Sequence, residues 1–449
     1  MTTTLSDIAS VIHHGGKDTV TGSCHELKLS NGSILIDCGL FQGQDLSFGG
    51  RNASLDIEFS LEHVQALVLT HAHIDHIGRL PWLLAAGFKG SIYCTQATAE
   101  LVPLMLEDGL KLQLGLNYQQ RQQILNIIRK QLKPCDYGQW VHLPNLADVR
   151  FQPAGHILGS AYVEFKLLSE EIIVFSGDLG PCDTPLLPDP IPPQRADYLF
   201  IESTYGDKQH EDIATRTQRL NNIIDHALKD GGVILIPAFS VGRTQELLFD
   251  IEQLINQRDI ASSLPIILDS PLATEVTKTY RRFKTLWGQE AKQRLKNQRH
   301  PLAFEQCITV ESHTEHKALV NRLASTDEPA IVVAASGMCE GGRIVNYLKA
   351  LLPDERNDVL FVGYQAQGTL GSEIQTGNSK VEIDSQQIEV NAQIHTISGY
   401  SAHADKNDLL KFITGIPTPP KAVHFIHGEQ EAKQALRQEL ERKGYKVVY

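Results

Sequence analysis

The chain is poor in the features that brace small or secreted proteins. Its seven cysteines (Cys24, Cys38, Cys94, Cys135, Cys182, Cys307 and Cys339) are scattered over 449 residues. They are odd in number and form no C-x-x-C pair, which excludes a disulfide framework and a cysteine zinc knuckle and suits a reducing cytoplasm. No apolar run reaches the length of roughly 20 residues that spans a bilayer. Residues 1–10 lack the basic segment and apolar core of a signal peptide, so no membrane or secretory role is expected. Positive charge is scarce as well: the formal net charge is -12. That balance excludes a nucleic-acid binder held by bulk charge, and a polyanionic substrate would need a local positive site, which a bound cation can supply. There is no repeat of fixed period and no low-complexity segment. The length suggests two to four domains, or one large domain with an insertion.

Histidine is plentiful, and its placement is uneven. Thr70-His71-Ala72-His73-Ile74-Asp75-His76 puts three histidines and an aspartate within six residues. They follow the apolar run Ala66–Leu69, read as a buried strand, and precede a helical pattern over 77–86. In extended chain alternate side chains point the same way, so His71 and His73 face one point, while Asp75 and His76 can face a second where the helix begins. Four ligands on one turn crowd a single tetrahedral ion, and two neighbouring metals relieve that. His156 and Asp178, each after a strand and each flanked by glycines, are the next ligands, with Asp178 the natural bridging carboxylate. His427, at the end of the last strand, is a further candidate. Imidazole and carboxylate without thiolate suit zinc, with manganese second. Two such ions about 3.5–4 Å apart make hydroxide available near neutral pH and clamp a phosphoryl centre. A lone His156 would read as a turn or core residue. His13, His14, His25, His63, His142, His210, His226, His300, His313, His316, His395 and His424 are left as structural.

Elsewhere the pattern changes along the chain. A hairpin is expected at 25–36 through Asn31-Gly32, a strand at 91–95 and helix over 97–132. Strands follow at 149–152, 162–167, 172–176 and 198–202. From about 208, strand and helix alternate: helices at 215–229, 244–257, 273–299 and near 343–352, strands at 233–237, 265–268, 330–334 and 359–362. This is the signature of βα units on a mostly parallel sheet. Short strands return at 388–390, 393–397 and 423–426, and helix 431–443 closes the chain.

On these motifs the chain resembles the metallo-β-lactamase superfamily. The H-x-H-x-D-H turn, the Asp37 turn, Gly155-His156 and Gly177-Asp178 occur in that family's order. The segments Pro237–Glu246, Asp269–Ala273, Ser336–Arg343, Ser401–Asp405 and His427–Gln430 resemble its β-CASP nuclease branch, so that the likeness covers nearly the whole chain. The resemblance implies an α/β protein: an αββα sandwich formed by 1–207 and completed by 385–449, with a parallel-sheet β-CASP lobe at 208–384 and an active site in the cleft between them. It implies two Zn2+, one held by His71, His73, His156 and Asp178, the other by Asp75, His76, Asp178 and His427. Asp37 would support the ligands, His403 would protonate the leaving oxygen as general acid, and Glu202 would orient His403. His427 favours RNA over DNA within the branch. The look-alikes with an N-terminal KH module, or with the long C-terminal domain of the J-type ribonucleases, are longer than this chain.

The function implied is a zinc-dependent ribonuclease acting on single-stranded RNA by attack of a metal-bound hydroxide, with Asp75, His403, Glu202 and Asp37 as its catalytic set. The endonucleolytic mode is expected, and a 5′-exonucleolytic mode and a homodimer are left open. Ser240, Arg243, Ser336, Gly337, Arg343 and Ser401 lie in loops that resemble the family's substrate-facing loops. The basic run at 277–300 either guides RNA or is a solvated helix face. Competing readings are another hydrolase on the same scaffold, a thioesterase or a DNA nuclease, and a non-catalytic scaffold; the βα lobe and His403 argue against a thioesterase, His427 against a DNA nuclease, and the filled ligand positions against the scaffold.

Overall fold

The computed structural model describes residues 1–42, 55–258, 264–363, 365 and 367–448. They divide into two compact units. The first comprises Met1–Asp183, Leu187–Gln209 and His403–Tyr449, and the second Thr184–Leu186 and His210–Ala402.

The first unit is built on two sheets, each of seven strands among the described residues. One runs in the order Thr2–Ser6, Ala9–Gly15, Cys24–Leu29, Gly32–Ile36, Val64–Val68, Ser91–Thr95, Leu132–Cys135. It is antiparallel through its first four strands and parallel thereafter. The other runs Val447–Val448, Ala422–Ile426, Tyr198–Glu202, Ile172–Phe175, Ala161–Leu167, Ala147–Pro153, Trp140–Leu143. Alternate residues of both sheets meet in one apolar core, Val11, Leu27, Ile34 and Val68 from the first with Val149, Phe165, Phe175 and Phe200 from the second. The opposite face of the second sheet is covered by Leu409, Phe412 and Ile413 of helix Lys406–Thr414 and by Leu436 and Leu440 of helix Gln430–Arg442. Helix Gln96–Leu114 packs on strands Ser91–Thr95 and Leu132–Cys135. Two sheets back to back with helices outside give the expected αββα layering. Each apolar strand face needs a partner, and the two sheets supply it for each other.

The second unit carries a six-stranded parallel sheet among the described residues, ordered Cys307–Thr309, Ile266–Asp269, Ala330–Ala334, Val233–Pro237, Asp358–Phe361, Gln393–Thr396. Its central strands are buried end to end, as a sheet covered on both faces requires. Strand Gln393–Thr396 pairs with Asp358–Phe361, so residues up to Ala402 fold with this unit. No described helix is long and apolar enough to cross a membrane.

Several expected elements are interrupted. The helix after the histidine turn is two short ones, Ile74–Ile77 and Leu80–Ala85. Between them a Cβ at Gly78 would lie 2.6 Å from that of Leu40, and Pro81 opens the second helix because the first turn needs no N–H. The long helix ends at Gly115 (φ 59°), and a second begins with a capping box between Asn117 and Gln120. Residues 273–299 form helices Pro271–Arg282 and Gln289–Lys296, broken where Trp287 turns inward and donates from Nε1 to the Tyr280 carbonyl. The N-terminal hairpin of Thr2–Ser6 and Ala9–Gly15 and helix His313–Leu323 are additions to the elements expected from sequence.

Candidate metal centre

Each ligand sits where a strand ends. Strand Gly32–Ile36 delivers Asp37, whose backbone takes the left-handed conformation (φ 58°). One Asp37 oxygen accepts from the Thr70 amide at 2.8 Å, and the other from the Thr70 hydroxyl at 2.8 Å and His76 Nδ1 at 2.7 Å. Asp37 therefore fixes the His76 ring with Nε2 facing the centre. His73 is extended (φ −69°, ψ 150°) and caps the short helix that carries Asp75 and His76. The change from strand to helix within this turn splits its four ligands into two pairs. His156 lies in the turn joining strands Ala147–Pro153 and Ala161–Leu167, where the Ser160 hydroxyl accepts from the His156 and Ile157 amides. Asp178 follows Ile172–Phe175 between two tight glycine positions. Gly177 has φ 52° and lies against Thr70, and a Cβ at Gly180 would stand 2.1 Å from the Gly155 carbonyl oxygen. A side chain at Gly180 would push the His156 and Asp178 turns apart, and one at Gly177 would strike Thr70.

The side chains gather around two points. His71 Nε2 is 3.1 Å from His73 Nδ1, His156 Nε2 is 2.9 Å from His73 Nδ1, and both His71 Nε2 and His156 Nε2 lie 3.6 Å from one oxygen of Asp178. The other Asp178 oxygen lies 3.3 Å from His76 Nε2 and 3.5 Å from His427 Nε2. Asp75 is 3.6 Å from His76 Nε2 and 4.0 Å from His427 Nε2. Four donors arranged tetrahedrally at 2.0–2.1 Å from one cation stand about 3.3–3.4 Å apart, close to these separations. His71, His73, His156 and Asp178 thus form one potential metal cluster, and Asp75, His76, Asp178 and His427 a second that shares Asp178.

Orphaned polar atoms provide a separate test of fit. His76 Nε2 and one Asp178 oxygen are buried and, though 3.3 Å apart, are not aligned for a hydrogen bond. A buried polar group without a partner costs about 1–3 kcal/mol, so a set aimed at common points fits a bound cation. Charge agrees with this. Burial, with His76 next, holds His71 well below the usual imidazole range. Burial likewise holds His427 at about 3, although Asp178 opposes it. Burial would raise Asp178, but His427, His76 and His71 keep it well below the usual carboxylate range. Neutral imidazole and ionised carboxylate are the metal-binding forms. Burial also raises Asp75 to about 6, with His76 opposing. Burial would lower His76, but Asp178, Asp37 and Asp75 hold it well above its usual range, so a proton there occupies a position a cation could take.

A third group adjoins. His403 Nδ1 is 3.3 Å from both oxygens of the fully buried Glu202 and 3.9 Å from Asp178. Glu202 ends strand Tyr198–Glu202 and also accepts from the Leu179 amide at 2.7 Å. Asp405 caps helix Lys406–Thr414, and the Ala404 amide donates to the Leu179 carbonyl at 2.7 Å, which fixes the segment bearing His403. His427 follows strand Ala422–Ile426 with φ 47°, its carbonyl accepting from the Ser203 amide.

Three family models match the chain: the metallo-β-lactamase superfamily over 19–212, the Beta-Casp domain over 244–374, and the Zn-dependent metallo-hydrolase RNA specificity domain over 387–449. A ribonuclease of Thermus thermophilus, TTHA0252, is 37% identical over 439 residues, covering 97% of each chain. The chain belongs to the β-CASP branch of the metallo-β-lactamase superfamily. Transcription termination factor FttA of Methanocaldococcus jannaschii is 33% identical and covers 93% of this β-CASP chain, which spans 66% of that protein's length. An RNase J-like protein of the same organism is 31% identical, with 93% and 92% of the two chains covered. A crystal structure of a protein of unknown function from Enterococcus faecalis V583 shares the fold, with TM-score 0.56 and 13% identity over 98% of both chains.

All seven sequence-predicted ligands of the β-CASP chain lie in the first unit, together with Asp37, Glu202 and His403. Ser240, Arg243, Ser336, Gly337, Arg343 and Ser401 lie in the second. There the loops after strands Val233–Pro237 and Ala330–Ala334 are adjacent, since a Cβ at Gly337 would meet Phe239 at 2.9 Å. The Ser240 hydroxyl is 3.3 Å from that of Ser270, and the Ser336 hydroxyl donates to the Gly341 carbonyl at 3.4 Å. Both arginines have protein acceptors. Arg243 donates to the carbonyls of Val362 and Tyr400, and Arg343 to Asp269 and the carbonyls of Val310 and Glu311. Sequence reasoning assigned no role to Thr70, whose hydroxyl and amide hold Asp37, or to the Leu179 amide on Glu202. Thr70 has a signal in its place directly before His71; a backbone amide has none.

Proposed function

We propose that the chain is a two-metal ribonuclease that hydrolyses single-stranded RNA to products bearing 5′-phosphate and 3′-hydroxyl ends. The observation that carries this reading is the division of Asp178 between two ligand sets, one oxygen to each, with His403 beside them on Glu202. Two zinc ions, with manganese second, match the imidazole and carboxylate donors. When bound they would supply an activated water and offset phosphoryl charge. The chain's own residues do the rest. Asp37 holds His76 by Nδ1, so its ring cannot swing away. Glu202 faces Nδ1 of His403 and orients the ring to deliver a proton to the departing ribose oxygen, a general-acid step worth about 10²–10⁴-fold. The free cysteines support a reducing, cytoplasmic setting.

The test is to incubate zinc-loaded protein with end-labelled and 5′-blocked single-stranded RNA, and in parallel with a thioester panel. RNA fragments carrying 5′-phosphate are expected, and internal cuts in blocked RNA would identify the endonucleolytic mode. Thioester turnover without RNA cleavage would overturn the reading.

A further inference from the structure

The second unit holds a basic surface that the chemistry above does not use. Helices Pro271–Arg282 and Gln289–Lys296, the turn between them and residues up to His300 carry Arg281, Arg282, Lys284, Lys292, Lys296 and Arg299. Part of this charge has a structural explanation. Arg281 and Arg282 lie in the last turn of a helix, where cations are favoured anyway. Arg294 is buried over the Phe249 ring and pairs with Glu290 and Glu252, and Arg299 also pairs with Glu252. Glu252 and Glu290 thus neutralise the inner layer.

The outer layer is different. Arg281, Lys284, Lys292 and Lys296 are exposed, and among the described residues none is paired with a carboxylate. Lys284, Lys296, Arg299 and His300 converge on one depression of about 500 Å³, lined also by Leu295 and Gln298. His300 senses the field there: burial lowers it first, and Arg281 and Lys284 lower it further. Tyr280 and Trp287 turn inward, so the cations, with their fit to phosphate, dominate what this face offers.

We propose that this face is an accessory docking surface for the sugar–phosphate backbone of single-stranded RNA, engaging substrate in addition to the contacts made at the metal centre. The proposal rests on the ribonuclease reading for its partner and on local charge for its chemistry. In a chain of net charge -12 a four-cation face that has no acidic partner among the described residues concentrates polyanions at one place. Docking here makes affinity depend on RNA length and on salt, and leaves sequence preference untouched.

The experiment compares full-length protein with an Arg281→Ala, Lys284→Ala, Lys296→Ala variant and a control carrying Lys89→Ala, Lys130→Ala and Lys133→Ala, which removes the same exposed charge from the first unit. Binding of labelled phosphorothioate RNAs of 8 and 30 nucleotides is followed by anisotropy across a salt series. The first variant is expected to lose about tenfold in affinity for the 30-mer and about 2 in salt slope, as for three lost phosphate contacts on a single strand. Its binding of the 8-mer and its cleavage of an unmodified 8-mer are expected to stay within twofold, and the control to stay within twofold for both lengths. An unchanged 30-mer affinity, or an equal loss in the control, overturns the docking surface. If the 30-mer binds through this face but no RNA is cleaved, the docking surface stands and the ribonuclease reading falls.

Discussion

Asp178 in the first unit and Asp269 in the second are both buried carboxylates just beyond or at the end of a strand, yet their surroundings differ in kind. Asp269 accepts from His316 Nδ1 at 2.7 Å, Arg343 at 2.5 Å and the Tyr347 hydroxyl at 2.6 Å. Its valence is filled by protein donors, and the network ties strand Ile266–Asp269 to helices His313–Leu323 and Arg343–Leu351. Asp178 faces His71 and His427, which burial holds neutral, and His76, which the neighbouring carboxylates hold protonated, and one of its oxygens has no hydrogen bond. A filled buried network holds architecture; one left incomplete in a common direction fits a ligand.

Breaking each carboxylate sharpens the contrast, and the largest effect is expected at Asp178. Asp178→Ala should lose both metals and about a thousandfold or more in RNA cleavage while remaining folded, read by metal analysis, circular dichroism and single-turnover assays. Retention of two metal equivalents would remove the bridging role. Next, His403→Ala should keep both metals yet lose about 10²–10⁴-fold in turnover, whereas His427→Ala should release one metal selectively. Equal stoichiometry in the two variants would erase the distinction between proton donor and ligand.

Asp269→Asn should do the reverse of Asp178→Ala. Metal content stays intact, and the second unit loses about 1.5–3 kcal/mol because the half-buried Arg343 loses its charged acceptor. Denaturant unfolding would measure this, and loss of metal in that variant would contradict the comparison. The smallest effect is on pH dependence, where buried groups away from the metal centre should pull in opposite directions in the two units. In the first, burial holds His13 at about 3 and His25 well below its usual value. These depressed bases contribute stability that is complete above about pH 6.5 and lost as pH falls toward 3. In the second, burial raises Glu246 to about 7, with Arg216 opposing. That raised acid contributes roughly 3 kcal/mol below pH 4.5, lost as pH rises toward 7. Hydrogen exchange of peptides from each unit at pH 5 and 8 would resolve the two slopes, and Glu246→Gln should flatten the second.

Much of this was legible in the sequence because it is local. The Asn31-Gly32 hairpin, the strands at 198–202, 233–237 and 330–334 and the helix near 343–352 follow from turn chemistry and periodicity within a few residues. The interruptions at Gly78, Gly115 and Trp287 were not legible as breaks, since each depends on a contact or backbone angle that the periodic pattern does not encode. The same division runs through the metal centre. Residue type and spacing in His71 to His76 determined by themselves that a dense set of ligands stands at one strand end. Only the tertiary structure decided which oxygen of Asp178 faces which histidines, that Thr70 and Asp37 lock His76, and that Arg243 and Arg343 spend their donors on protein carbonyls and Asp269. Spacing along a chain sets which side chains share a face. The closing of distant strand ends, driven by burial of the sheets between them, sets which atoms meet.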